Sequence, residues 1–285
     1  MVVPEWFVRW RRATQCWGLA LLATSVLLAL PVPGPGWVLW FFVAMGADGA
    51  GLDPSSTQIW ATVVVDVVIL ETITVALVAA AWVGAGEPVP TGTTAARAWA
   101  ARWRSVTEAW VPPLTVPLVA IALGAGTWLS LGLLTVCLVV LTAGVCGLAV
   151  GARALLARAG TARLAALAVL GAMVVTGIVG ALGPGSMGRP VTALVVVSPY
   201  TAVADAMTRT SPLTLWSMIG GVANAGRDEG STVEIPPPGF PLWPASLAVT
   251  GTWGAAGVCA AGLATRRRDR KESDREAVHE ARLRG

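Results

Sequence analysis

Long apolar stretches separated by short polar segments dominate the chain. The clearest of these stretches are residues 59–84, 114–151, 164–182 and 244–264. A helix needs roughly 20 residues to cross a hydrocarbon core of about 30 Å, so the stretch 114–151 is long enough for two crossings. A further stretch, 17–30, precedes a break rich in proline and glycine. The pattern predicts an all-α polytopic membrane protein with six transmembrane helices.

Composition supports this interpretation. Of 285 residues, 55% are hydrophobic and 13% are charged, which leaves too little polar surface to cover a soluble globule. A net charge of +4 would suggest a nucleic-acid partner in a soluble protein. Here the charge lies in short loops and tails, so we expect membrane lipid and no nucleic acid as a partner.

The basic residues predict the orientation in the membrane. Of 20 lysines and arginines, only Arg189, Arg209 and Arg227 fall on the opposite side when the amino end is cytoplasmic and six helices cross. Cationic loops resist translocation, so this asymmetry predicts that both termini are cytoplasmic. The predicted cytoplasmic residues include Arg9, Arg11, Arg12, Arg97, Arg102, Arg104, Arg153, Arg158, Arg163 and the basic run from Arg266.

Two short segments near the amino end are predicted to lie in the membrane interface. Residues 4–17 place tryptophans on one face and charges on another, which is typical of an amphipathic interfacial helix. Residues 37–46 are apolar but too short to cross the bilayer alone. They are predicted to form an outer interfacial helix or a re-entrant one.

The main predicted cytoplasmic loop, residues 87–113, contains an amphipathic helix over 95–110. Its apolar face carries Trp99, Trp103, Val106 and Trp110. Arg97, Arg104 and Glu108 lie elsewhere on the cylinder. The helix either rests on lipid or forms a docking surface for a cytoplasmic partner, and the residues alone leave both interpretations open.

The largest predicted extracytoplasmic segment is 183–243, rich in glycine and proline. It also contains apolar runs, so we expect short helices that pack on or re-enter the outer leaflet without crossing it. Ser198 followed by Pro199 is a favourable helix start, because serine caps the first turn and proline fits it.

Several kinds of chemistry are excluded by the residues that the sequence lacks. The only lysine, Lys271, follows no glycine-rich phosphate loop, so the chain has no Walker A motif and is not expected to hydrolyse ATP. The only histidine, His279, lies in the charged tail, which leaves no catalytic triad or histidine-ligated metal site within the spans. Four cysteines without metal-binding spacing are interpreted as packing residues: Cys16, Cys137, Cys146 and Cys259.

Two carboxylates lie inside the second predicted span, Asp66 and Glu71. Ionisable residues within a bilayer are costly and are candidates for function. At 100° per residue they point about 140° apart, so they are not expected to form one paired site. Each either faces the helix bundle and supports assembly, or contributes to substrate passage and gating.

Small residues recur at helix-contact spacing in three segments. These are Gly147 and Gly151; Ala172, Thr176 and Gly180; and Ser246, Thr250 and Gly254. Such positions let helix backbones approach closely in lipid, where hydrophobicity supplies no attraction between helices. The spacing predicts helix contacts but does not distinguish an internal contact from a dimer contact.

The order of these parts resembles the permease subunit of an ABC-2 type transporter. Arg104-Ser105-Val106-Thr107-Glu108 followed by Pro112-Pro113-Leu114-Thr115 is similar to that family's coupling-helix region. The stretch G-L-A-V-G-A-R-A-L-L-A-R-A-G-T-A resembles the end of its fourth span and the inner turn that follows. Ser198-Pro199-Tyr200 stands where the family often has Asn-Pro, and the final span ends in Arg266-Arg267-Arg268.

The resemblance implies a transmembrane permease domain over 1–264 and a charged cytoplasmic tail over 265–285. It implies a separate ATP-binding subunit, which would hold ATP and magnesium, and a second permease copy or homologue. Arg97, Arg104 and Glu108 would then couple to the ATPase, and Asp66 and Glu71 would line the path or gate it. The exported substrate would be amphiphilic or lipid-like, and the protein would be a multi-pass component of the plasma membrane.

A second class of function fits the residues as well, a polytopic membrane scaffold or accessory subunit without transport activity. It would need none of the residues that an enzyme needs. A membrane-embedded enzyme is the third possibility, disfavoured because the spans lack histidine, lysine and clustered carboxylates.

Overall fold

A computed structural model of the protein describes residues 73–90, 92–107, 110, 114, 118, 128–182, 192–207 and 241–284. The predicted interfacial helix 4–17, the first span and the stretch 37–46 lie outside these residues. So does most of the first half of the stretch 114–151.

The described residues form helices and connecting turns, with no strand among them. We number the helices α1 to α7 in chain order. They are α1 (Ile73–Gly84, the described part), α2 (Ala95–Thr107), α3 (Trp128–Leu155), α4 (Ala159–Leu182), α5 (Thr192–Val195), α6 (Pro199–Met207) and α7 (Trp243–Arg284). The all-helical prediction is confirmed for the part of the chain that the structure describes.

Three helices are long and apolar enough to cross a membrane. Their apolar windows lie within Leu131–Leu155, Ala159–Gly177 and Trp243–Glu280, and the shorter apolar helix Ile73–Gly84 accompanies them. These correspond to α3, α4, α7 and α1. The ends of α1 and α4 and the start of α7 lie close to the bounds that the sequence pattern predicted. The described part of the chain is therefore compatible with a membrane protein.

Helices α3 and α7 make the most extensive contact between any two described helices. Gly144 of α3 lies against Thr250 and Gly254 of α7, while Gly151 lies against Gly257. Because residue numbers rise together along both helices, α3 and α7 run parallel. The carboxyl end of α3 lies beside the middle of α7, where Arg268 Nη2 donates to the carbonyl of Ala154 at 3.3 Å.

This contact depends on glycine. A β carbon added to Gly147 would lie 2.6 Å from the carbonyl oxygen of Gly254, and one added to Gly254 would lie 2.5 Å from Cα of Gly144. The two backbones therefore touch directly. We call this contact the glycine seam, and its members are Gly144, Gly147, Gly151, Thr250, Gly254 and Gly257. The sequence left open whether these small residues join helices of one chain or of two; here they join helices of one chain.

Helix α1 runs in the same direction as α3. Thr74 of α1 contacts Tyr200 of α6, and α6 contacts α3 at Cys137. Gly84, at the end of α1, lies against Cys146 and Ala149, which are further along α3. Helix α4 returns antiparallel to α3 after a turn at 156–158. The carboxyl ends of α1 and α3, the start of α4 and the middle of α7 thus lie at one end of the bundle, which we call the arginine end because Arg153, Arg158 and Arg268 lie there.

Short helices close the opposite end of the bundle. Gly177 and Gly180 of α4 lie against Ser198 and Leu194, respectively, so α5 and the start of α6 pack tightly on α4. Helix α6 begins at Pro199, and Ser198 Oγ accepts a hydrogen bond from the amide of Tyr200 at 3.3 Å. The predicted serine cap and first-turn proline are confirmed.

The final helix continues far beyond the apolar span. Helix α7 extends from Trp243 to Arg284 without interruption, and the residues from Arg266 onward that the structure describes are exposed. Its charged portion contains an i,i+4 ion pair between Arg284 and Glu280 at 3.2 Å. The predicted charged tail is therefore helical over its described residues.

Candidate functional site

Helix α2 occupies the position where the sequence predicted a coupling helix. Residues 87–90 form its approach, and Gly92 has a φ of +76°, which favours glycine in the turn before the helix. Thr94 Oγ1 accepts a hydrogen bond from the amide of Arg97 at 3.3 Å, as an N-cap residue does. Local sequence therefore sets where α2 begins.

The tryptophans of α2 contact the middle of α3. Trp99 Nε1 donates to the carbonyl of Ala143 at 3.0 Å, and Trp103 Nε1 donates to Thr142 Oγ1 at 3.2 Å. Thr142 lies eleven residues before Arg153, so this contact is about 16 Å along α3 from the arginine end. The apolar face of α2 is thus covered by protein, and the helix inclines into the bundle.

Three indole rings contact one another in series, two on α2 and the third, Trp110, beyond its end. The rings of Trp99 and Trp103 are stacked with centroids 5.8 Å apart and an interplanar angle of 3°. Trp103 and Trp110 are tilted at 59° with centroids 6.0 Å apart. Such aromatic pairs add about 0.5–1.5 kcal/mol each beyond the area they bury. The stack gives α2 a stiff apolar ridge.

Arg102 ties α2 to the end of α1. Its Nη1 donates to the carbonyl of Gly84 at 2.7 Å, and its Nη2 donates to the carbonyl of Glu87 at 2.5 Å. Gly84 is the last residue of α1, so its carbonyl has no helical partner and a guanidinium is a favourable cap. Burial lowers the pKa of Arg102, but an arginine remains protonated at neutral pH.

A third span also meets α2. The β carbon of Ala95 lies 3.9 Å from the place where a β carbon on Gly262 of α7 would be. Ala95, Ala98 and Val106 are buried in the same apolar cluster as residues of α1 and α3. Helix α2 therefore contacts α1, α3 and α7 simultaneously.

Of the five charged residues that the sequence predicted as site residues, the structure describes two. Arg97 and Arg104 are exposed on α2, on the side away from the buried alanines. Glu108 lies outside the described residues, as do Asp66 and Glu71 of the second predicted span. The structure thus brings Arg97 and Arg104 onto one accessible helix and leaves the other three as predictions.

Two polar residues that organise the bundle were not singled out from the sequence. Asp205 Oδ2 accepts hydrogen bonds from the amides of Leu242 and Trp243, at 2.6 and 2.9 Å, and so caps the start of α7. Tyr200, the only tyrosine, is hydrogen-bonded to Thr74 with 2.5 Å between the two hydroxyl oxygens. A lone carboxylate in the otherwise apolar run 200–207 was the available signal for Asp205.

Within the described ranges, no group of three histidine, cysteine or acidic side chains is placed to hold a metal ion. Cys137 and Cys146 are buried packing residues, as predicted, whereas Cys259 is exposed. Comparison with protein families, with curated proteins and with solved structures found no match for this chain.

Proposed function

We propose that this chain is the transmembrane subunit of an ATP-driven exporter of the ABC-2 type. It forms part of the path for an amphiphilic or lipid-like substrate in the plasma membrane. ATP and magnesium bind to a separate subunit, and a second permease copy or homologue completes the path. The proposal includes six spans, with both termini in the cytoplasm.

The observation that carries the proposal is the contact of α2 with three spans. An exporter permease without its own ATPase needs a cytoplasmic element through which a partner's movement reaches the spans. Helix α2 has the required connections, because Arg102 holds the end of α1 while Trp99 and Trp103 contact the middle of α3. Arg97 and Arg104 remain exposed at the same helix for contact with the partner.

The geometry supports a lever rather than a passive loop. The tryptophan contact lies about 16 Å from the arginine end, so a push on the exposed face of α2 is delivered deep inside the bundle. Side-chain contacts of this kind can rearrange, whereas backbones in direct contact cannot separate without losing their packing. Movement of α2 relative to α3 would therefore change the path while α3 and α7 stay together.

Co-purification tests the proposal. The tagged chain is solubilised from its native membrane, and an ATP-binding subunit should co-purify whose ATPase activity depends on the permease. The Arg97→Ala, Arg104→Ala double variant should lose this subunit, while the tail variant Arg284→Ala, with an equally exposed arginine, should retain it. Retention of the ATPase by the double variant would remove α2 from the contact.

Cysteine labelling tests the orientation. Ala95 at the start of α2 is buried, so the exposed residue Arg97 is the better site for a cysteine. A membrane-impermeant reagent should label Thr232→Cys in intact cells and label Arg97→Cys only after the membrane is opened. Labelling of Arg97→Cys in intact cells would contradict the topology.

The non-transporting scaffold remains the second candidate from sequence. It predicts that the chain purifies with other membrane proteins and without an ATP-binding subunit. If native membranes yield such a complex and the Arg97 and Arg104 changes leave it intact, the scaffold becomes the preferred function.

A further inference from the structure

Two guanidinium groups converge on the loop that follows α1. Arg153 Nε donates to the carbonyl of Gly86 at 3.0 Å. Arg163 Nη2, from the start of α4, lies 3.9 Å from the place where a β carbon on Gly86 would be. Because Gly86 has no side chain, both guanidinium groups can approach its backbone.

Within the described chain, neither Arg153 nor Arg163 is paired with a carboxylate, and Arg153 Nη1 donates instead to the carbonyls of Leu156 and Ala157, at 2.8 and 3.0 Å. Residues 84–107 and 151–163 contain six arginines and a single carboxylate, Glu87. Among the described residues, the recorded ion pair joins Arg284 to Glu280 and involves neither Arg153 nor Arg163. In the same part of the chain, Arg163 Nε is buried without an acceptor. Like charges at short range repel, and a bound anion would offset that repulsion.

An apolar surface adjoins the cations on the membrane side. Arg163 Cζ lies 4.2 Å from the centre of the Trp82 ring, and Trp82 is 52% exposed. Leu164, which follows Arg163, is 69% exposed. Tryptophans commonly lie at headgroup depth in a bilayer. This surface therefore presents a cationic part and an apolar part side by side, which suits an amphiphile better than a free anion.

We propose that this surface, at the end of α1 and the start of α4, binds an anionic phospholipid. The headgroup phosphate lies between Arg163 and Arg153 beside Gly86, and the acyl chains lie along Trp82 and Leu164. Basic pockets between spans on the cytoplasmic side bind such headgroups by the same chemistry. The site is independent of the transport function proposed above.

Spin-labelled lipids test the site in the full-length chain. The protein is reconstituted in phosphatidylcholine vesicles with a trace of spin-labelled phosphatidylglycerol or spin-labelled phosphatidylcholine, and the motionally restricted fraction is measured. The wild-type chain should select phosphatidylglycerol. Arg163→Gln should lower that selectivity about five-fold, since one arginine near a membrane surface contributes that much to the binding of an anionic lipid.

The matched control is Arg97→Gln, which removes the same charge from an exposed position on α2 and should leave the selectivity unchanged. Equal losses in both variants would show a general surface potential and overturn the site. Wild-type protein that does not distinguish the two lipids would overturn it as well. If excess inorganic phosphate removed the selectivity, the ligand would be a free anion rather than a lipid, which would contradict the proposal.

A second pair of variants covers the case in which Arg163→Gln does not fold. Arg163→Lys keeps the charge but loses the planar fork and the stacking on Trp82, so it should retain most of the selectivity. Trp82→Leu keeps an apolar side chain but removes the ring beneath Arg163, and it should lower the selectivity by less than Arg163→Gln. Full selectivity in a folded Trp82→Leu chain would contradict the proposed position of the headgroup.

Discussion

Helix α3 makes two contacts of opposite character on its two sides. Toward α7 it presents Gly144, Gly147 and Gly151, and the two backbones touch without intervening side chains. Toward α2 it presents Thr142 and Ala143, which are reached by the long indole side chains of two tryptophans. The first contact is short-range and continuous, and the second is made by a few large groups and two hydrogen bonds.

The difference indicates which parts of the bundle can move. Backbone contact at the glycine seam leaves no room for sliding, because any shift brings Cα and carbonyl atoms closer than van der Waals distance. A tryptophan contact can be remade after a change of rotamer or a small tilt of α2. We therefore expect α3 and α7 to move as one body and α2 to move against them.

The largest expected effect comes from filling the glycine seam. Gly147→Ala places a β carbon 2.6 Å from the carbonyl of Gly254, and neither backbone can yield cheaply. We expect a loss of about 3 kcal/mol in the free energy of unfolding, at the upper end of overpacking effects.

Gly132→Ala is the control in the same helix, since its β carbon meets no atom within 4 Å. It should be neutral or stabilise by up to about 1 kcal/mol. Unfolding in a titration with denaturing detergent measures both, and equal behaviour would contradict the seam.

The next largest effect is expected on association with the ATP-binding subunit rather than on folding. Arg104→Ala combined with Glu108→Ala should weaken association with the ATP-binding subunit by about 2 kcal/mol, or roughly 30-fold, as expected for truncated charge pairs at a subunit contact. For Arg104→Ala alone, the free energy of unfolding should change by no more than about 0.5 kcal/mol, because Arg104 is exposed. Titration of the purified permease with the ATPase measures the affinity. Unchanged affinity would leave α2 without its proposed role.

A double-mutant cycle addresses the tryptophan contact. Thr142 Oγ1 donates to the carbonyl of Leu138 and accepts from Trp103 Nε1, so Thr142→Val leaves that indole N–H without its acceptor. We expect a cost of about 1–2 kcal/mol for Thr142→Val and a coupling of about 1 kcal/mol with Trp103→Phe. Additive single effects would mean that the hydrogen bond contributes nothing to the contact.

The smallest expected effect is that of a threonine-to-valine substitution within the glycine seam. Thr250 Oγ1 is buried, and among the described residues it has no hydrogen-bond partner. Thr250→Val removes this hydroxyl at nearly constant volume, so stability should be unchanged or rise by about 1 kcal/mol. A loss as large as that of Thr142→Val would show that the seam depends on polar side chains after all.

Sequence patterns predicted much of this architecture, because apolar length and amphipathic spacing are local properties of the chain. Apolar length alone determines which segments can span a bilayer, so the ends of α1 and α4 lie at Gly84 and Leu182 as predicted. The amphipathic pattern of α2 also identified its buried face correctly. These properties are local, and a single segment contains the information for each of them.

Tertiary pairing was not accessible in the same way. The spacing of Gly147, Gly151 and Gly254 predicted close helix contacts but not that α3 and α7 would be partners, since small-residue motifs are interchangeable. Arg102 and Asp205 cap helices that are distant in sequence, and no local pattern identifies such pairs. The carboxylates Asp66 and Glu71 remain predictions from sequence.

The most direct test of the account is a pair of distances in the complex with the ATP-binding subunit. In a cysteine-free background, spin labels at Leu129 and Ala96, an exposed residue of α2, report on α2 against α3, and labels at Leu129 and Leu263 report on α7 against α3. Double electron–electron resonance with and without ATP and magnesium should show a change in the first distance and none in the second. Constancy of both distances, or equal changes in both, would contradict the proposal that α2 is the moving lever on a rigid α3 and α7.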